Sequence, residues 1–117
     1  MWVGSAYREL IALPRQVRQA AGDNLRLVQQ GEMPLDWKWM EQVGPGACEI
    51  RVRSAEHGEV QHRVIYVAKF PEAVYVLHVF EKKSQRTSPH NLEVAAARYR
   101  QMLRQRSLLE RSGKGSS

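Results

Sequence analysis

At 117 residues and 13.5 kDa the chain has room for one hydrophobic core but not for two joined by a linker. A composition of 43% hydrophobic and 26% charged residues excludes a disordered or fibrous protein, and a single cysteine, Cys48, excludes an internal disulfide. The net charge of +6 is unevenly spread, with nine basic and two acidic residues from Lys82 to Ser117 and a near-neutral remainder.

Val3 to Ser5 reads as a short strand or lead-in. Ser5 can cap a helix whose apolar residues Tyr7, Leu10 and Ile11 recur at the i, i+3, i+4 spacing until Pro14 stops it. Pro14 also suits the first turn of a second helix, with Val17, Ala20, Ala21, Leu25 and Val28 as its stripe and Gly31 as its stop. Residues 32–47 lack a period and read as an ordered loop that ends in the turn Gly44-Pro45-Gly46. Cys48 to Arg53 alternates, setting Cys48, Ile50 and Val52 on one face and Glu49, Arg51 and Arg53 on the other. A turn over Ser54 to Glu59 leads to a strand over His62 to Phe70, and Pro71-Glu72 leads to a third over Ala73 to Lys82, which together predict an antiparallel meander.

The second and third strands are apolar on both faces, as strands covered by helices are. Ser88-Pro89 then opens a helix with the stripe Leu92, Ala95, Ala96, Tyr99, Met102 and Leu103. The expectation is one α+β domain over residues 1–110, followed by a disordered tail over 111–117. The apolar runs Val64 to Ala68 and Ala73 to Phe80 are shorter than the roughly 18–20 residues that span a bilayer, and the first residues carry no secretory pattern. A cytoplasmic protein without a membrane segment is expected.

Chemistry has few places to reside. The sequence has no glycine-rich phosphate loop, no Cys/His set with zinc spacing and no acidic cluster suited to magnesium, so neither a metal nor a cofactor is expected. Catalysis on RNA without a metal uses the 2′-hydroxyl as nucleophile, and needs a base, an acid and cations for the charge gathering on phosphorus. Those residue types gather on the strands and just after them: Glu49, Arg51, Arg53, Arg63, Tyr66, His78, Lys82, Lys83 and Arg86. Plainer readings stand beside this one. A charged strand row also serves solubility, His78 and Tyr66 also suit a core, and Lys82-Lys83 also protects a strand end. The cationic C-terminal third suits a polyanion or an acidic partner, or else a solvated helix face.

Six blocks in order carry a resemblance: Asp36-Trp37-Lys38, Val43-Gly44-Pro45-Gly46, Glu49 to Arg53, Arg63 to Phe70, Tyr75 to Phe80 and Lys82-Lys83-Ser84-Gln85. Together they resemble the phage-derived Gp49-like branch of the RelE/HigB toxins of type II toxin-antitoxin systems, over about residues 2–106. The resemblance implies two N-terminal helices packed on a mainly antiparallel sheet with a C-terminal helix, and a metal-independent endoribonuclease that cuts messenger RNA on the ribosome. Its implied partners are a helix-turn-helix antitoxin, messenger RNA and the ribosome, with DNA reached only through the antitoxin. Carried over by residue, Arg63 matches the arginine that contacts the scissile phosphate, and Arg51 fits a basic strand position. Arg53, Lys82, Lys83 and Arg86 fall in the RNA-binding set. Glu49 stands where RelE has lysine, and the RelE tyrosine has no counterpart after Lys83, so the acid and base roles stay open among Glu49, His78 and Tyr66. The alternative is a non-catalytic RNA- or protein-binding module of phage origin, and a structural phage component is the third reading.

Overall fold

The computed structural model describes residues 1–53, 61–82 and 86–115. The turn expected over Ser54 to Glu59, the candidate Lys83 and residues 116–117 lie outside them. Two helices, α1 (Ala6–Ile11) and α2 (Arg15–Gln29), precede four strands, β1 (Trp37–Trp39), β2 (Ala47–Arg53), β3 (Gln61–Val67) and β4 (Tyr75–Lys82). Helix α3 (Pro89–Gly115) closes the order, so the protein is α+β. The strands form one antiparallel sheet in the order β1-β2-β3-β4.

Local chemistry accounts for most boundaries. Helix α1 starts without a side-chain cap from Ser5, whose carbonyl instead takes the Glu9 N–H at 2.9 Å. Pro14 occupies the cap position of α2, and Gly31 beyond that helix sits at φ 82°, the left-handed conformation that glycine adopts without strain. Ser88 caps α3 by accepting the Asn91 N–H on its Oγ at 3.2 Å. Helix α3 continues to Gly115, past Arg111, where the sequence pattern starts its tail.

The sheet is covered on both faces. On one, Val17, Ala21, Leu25 and Val28 of α2 and Ala6 and Leu10 of α1 pack with Cys48, Ile50, Val52, Val64, Tyr66, Val76 and Val79. On the other, Ala95, Tyr99 and Met102 of α3 pack with Ala47, Ile65, Val67, Tyr75 and Leu77. Burying each large aliphatic side chain of this kind contributes about 1.5–3 kcal/mol, so it is the sheet's two-sided cover that holds the layers.

Edge strands expose unpaired backbone groups, and β4 is an edge. Its groups are taken up: Val76 accepts from Val3 N–H and donates to the Met1 carbonyl, Val79 N–H donates to Glu9, and the Leu77 carbonyl accepts from Arg98. Between Ile65 and Tyr66 the pairing of β3 with β4 shifts, so that Ile65 opposes His78 while Tyr66 opposes Val76. Among the described residues no helix is long and apolar enough to cross a membrane.

Candidate functional site

Register fixes which side chains share the face that α3 covers. On that face Lys38 opposes Glu49, Glu49 opposes Ile65, Arg51 opposes Arg63 and Arg63 opposes Phe80. Farther along the same face come Arg53 and Lys82, both opposite Gln61. Ala47, Val67 and Tyr75 line the other end, where α3 packs. The face is therefore apolar at one end and cationic at the other.

The cationic end is built around one carboxylate. Glu49 is 0% exposed. Its Oε1 lies 3.2 Å from Arg63 Nε and 3.8 Å from Lys38 Nζ, and its Oε2 accepts the Thr87 hydroxyl at 2.9 Å. Arg63 and Lys82 are themselves 3% and 4% exposed, whereas Lys38, Arg51 and Arg53 reach solvent at the rim. Burial pulls the Arg63 guanidinium below its ordinary range, and the Arg51 and Arg53 charges add to this while Glu49 and Asp36 oppose it. Burial likewise lowers the Lys82 ammonium, with Glu49 opposing.

Arg51 faces Arg63 directly across the strand pair, an arrangement that repels. Asp36 offsets part of it, its Oδ1 lying 3.9 Å from an Arg51 terminal nitrogen. With one carboxylate held inside a set of cations, such a surface attracts anions, and a phosphodiester supplies the flat-forked oxygens that arginine matches. The donor set does not suit a divalent cation, and among the described residues no group of three or more His, Cys, Asp or Glu is placed to hold one.

A family model described as phage derived protein Gp49-like (DUF891) matches residues 8–100, which takes in every strand and all of this face. The chain belongs to the Gp49-like family. No curated protein matches it.

In this Gp49-like protein the described residues singled out from sequence divide into four groups. Glu49, Arg51, Arg53, Arg63 and Lys82 share the face. Tyr66 does not: it lies on the opposite face in the α1 and α2 core, opposite Cys48, and burial raises its phenol well above the ordinary range. His78 is drawn to the outer edge, with Nδ1 3.0 Å from Glu9 Oε1 and Nε2 2.8 Å from Asn91 Oδ1, its ring stacked on Phe80. Arg86 is exposed just before α3.

Sequence reasoning did not single out Lys38 and Thr87. Lys38 stands between Trp37 and Trp39 on a strand of three residues, too short to show a period, and Thr87 left no signal either. The basic C-terminal helix is also less free than its charge suggests. Arg98 forks onto Glu9 at 2.7 and 2.9 Å, and Arg106 binds Glu72 at 2.6 Å while lying 3.5 Å over the Phe70 ring. Arg100, Arg104 and Arg111 remain exposed.

Proposed function

We propose that this Gp49-like protein is the toxin of a type II toxin-antitoxin system, a metal-independent endoribonuclease of the RelE/HigB kind that cuts messenger RNA on the ribosome. The observation that carries the reading is the cationic end of the sheet, where Arg63 is fixed by Glu49 at 3.2 Å and flanked by Arg51, Lys38 and Lys82. A cation held in place by a buried partner pays little reorganisation when charge builds on phosphorus, which is the condition for electrostatic stabilisation of the transition state. Lys38, Arg51 and Arg53 at the rim receive the RNA backbone first, with Arg63 behind them. The proposed controlling partner is a helix-turn-helix antitoxin covering this basic surface, and the proposed place of action is the cytoplasm.

The burial of Arg63 and Lys82 also favours a second reading, in which the rim binds RNA without cutting it.

One experiment separates the two. The protein is induced without its antitoxin while growth and transcript 5′ ends are followed, alongside Arg63→Lys and Arg63→Ala. Arg63→Lys keeps a positive charge beside the buried Glu49 but loses the forked geometry, so it should fold by circular dichroism and cleave about a hundredfold more slowly, an effect on the order of 3 kcal/mol. Arg63→Ala tests the fold, since it leaves Glu49 with less compensation. Growth arrest with no new transcript ends, equal in wild type and Arg63→Lys, rejects the nuclease and favours the binding module.

A further inference from the structure

The buried Glu49 carboxylate accepts one hydrogen bond among the described residues, and it comes from Thr87. The Thr87 hydroxyl donates to Oε2 at 2.9 Å. The other oxygen, Oε1, accepts none there; Arg63 Nε at 3.2 Å and Lys38 Nζ at 3.8 Å attract it as charges. Attraction between charges has little directional preference and a hydroxyl donor has a strong one, so the Thr87 bond decides which oxygen meets the cations. Thr87 is itself held in place. It precedes Ser88, whose Oγ accepts the Asn91 N–H at 3.2 Å and the Asn91 side-chain amide at 3.0 Å. Asn91 Oδ1 meets His78 Nε2 of β4 at 2.8 Å, and His78 Nδ1 meets Glu9 of α1 at 3.0 Å. The start of α3 is thereby pinned to β4 and α1, and Thr87 reaches the cationic end from a fixed base. Ser88 already caps the helix, so α3 has no need of the Thr87 hydroxyl.

We propose that Thr87 is a positioning residue: its hydroxyl sets the Glu49 carboxylate and, through it, the place of the Arg63 guanidinium. The part that Arg63 then plays in cleavage rests on the nuclease reading above. Thr87 acts through one side chain and touches no reacting group. Glu49 is 0% exposed, so an Oε2 that loses its donor stays buried and unsatisfied. The carboxylate then turns to bring both oxygens toward Arg63 and Lys82, the cations buried beside it, and Arg63 shifts with it. A guanidinium stabilises charge on phosphorus only from the place where its N–H groups already point, and a misplacement of about 1 Å can lower a rate about a hundredfold. Arg51 and Arg53 at the rim take no part in this bond. Binding of RNA and its turnover therefore separate at Thr87.

Thr87→Val removes the hydroxyl at nearly the same shape, and Thr87→Ser keeps it. On ribosomes programmed with a messenger, Thr87→Val should lower kcat about ten- to a hundredfold with KM unchanged, and Thr87→Ser should restore the wild-type kcat. A wild-type kcat in Thr87→Val overturns the proposal. So does a loss that Thr87→Ser fails to recover, or one confined to KM. A second readout needs no RNA. In isotope-labelled protein the Arg63 Nε–H resonance should shift and broaden in Thr87→Val and return in Thr87→Ser; an unmoved resonance overturns the proposal whatever the rates. Were Thr87→Val to unfold, the wild-type spectrum decides. A hydroxyl held on a buried carboxylate gives a slowly exchanging proton signal, and its absence overturns the proposal. If wild type cleaves no messenger while the Arg63 resonance responds as expected, the nuclease reading fails and the positioning stands.

Discussion

Glu9 joins α1 to β4 and α3, and its replacement by glutamine should remove a defined part of the protein's acid sensitivity. Its Oε1 lies 3.0 Å from His78 Nδ1 and accepts the Val79 N–H at 3.0 Å, and Arg98 forks onto both oxygens at 2.7 and 2.9 Å. Burial pushes the carboxyl up, but the bonds from His78, Arg98 and the Val79 backbone outweigh it and bring it down from 4.5 to about 2. The folded state thus binds this proton less tightly than the unfolded chain. Its contribution is fully present above the ordinary value of 4.5 and is lost as pH falls through about 2. The gap corresponds to about 3 kcal/mol, order of magnitude only. Urea unfolding of wild type and Glu9→Gln from about pH 6 to pH 2 measures it, because the other titrating carboxylates cancel in the difference. The deficit of Glu9→Gln should be largest near neutrality, where Arg98 has lost its counter-charge, and should shrink by about 2–3 kcal/mol toward pH 2. A deficit that stays constant across that range would refute the claim that the carboxylate accepts these bonds.

Glu49→Gln should lower the urea midpoint by the equivalent of about 3–5 kcal/mol, because it leaves the buried Arg63 and Lys82 without their enclosed carboxylate. A wild-type midpoint would remove Glu49 as the group that compensates them. Gly44→Ala places a Cβ 2.6 Å from the Tyr99 ring, which is anchored by its hydroxyl donating to the Pro45 carbonyl at 2.7 Å. The urea midpoint should drop by the equivalent of about 1–3 kcal/mol, and wild-type stability would mean that the ring gives way freely. Arg100→Gln with Arg104→Gln should leave the melting temperature unchanged, both side chains being exposed, and lower the salt dependence of ribosome co-sedimentation. A wild-type salt slope would assign those two residues to a solvated helix face.

The elements that could be read from the sequence are those that local chemistry determines. Ser88-Pro89 marks the start of α3, and the alternation from Cys48 to Arg53 assigns the faces of β2, because capping and the strand period are properties of neighbouring residues. Strand β1 was missed for the opposite reason. Three residues are too few to establish a period, and Trp37–Trp39 is a strand only through its pairing with β2. The shifted register between Ile65 and Tyr66 was equally hidden. It leaves Leu77 in the α3-side core while its neighbour His78 pairs with Ile65 of that same core, which no strict two-residue alternation predicts.

The candidate site was legible in composition but not in depth. Alternation groups Glu49, Arg51 and Arg53, and a strand read alone leaves all three in water. Tertiary packing divides them: Arg53 is exposed, Arg51 half-buried and Glu49 fully enclosed beneath Thr87 and beside Arg63. That division bears on the two readings of the charged row. A row kept for solubility has no reason to enclose its one acid and draw cations from neighbouring strands around it, since each enclosed charge loses its hydration. The fold tolerates Arg51 opposite Arg63 and an ammonium at Lys82 without a hydrogen-bond partner among the described residues, with Glu49 as the nearby offset. Glu49 inside and Asp36 at the rim cannot between them neutralise the four cations Lys38, Arg51, Arg63 and Lys82. Under the proposed function, an anion with several oxygens settling on the rim would complete the balance, and a bound phosphodiester would then stabilise the arrangement that the free protein holds at a loss.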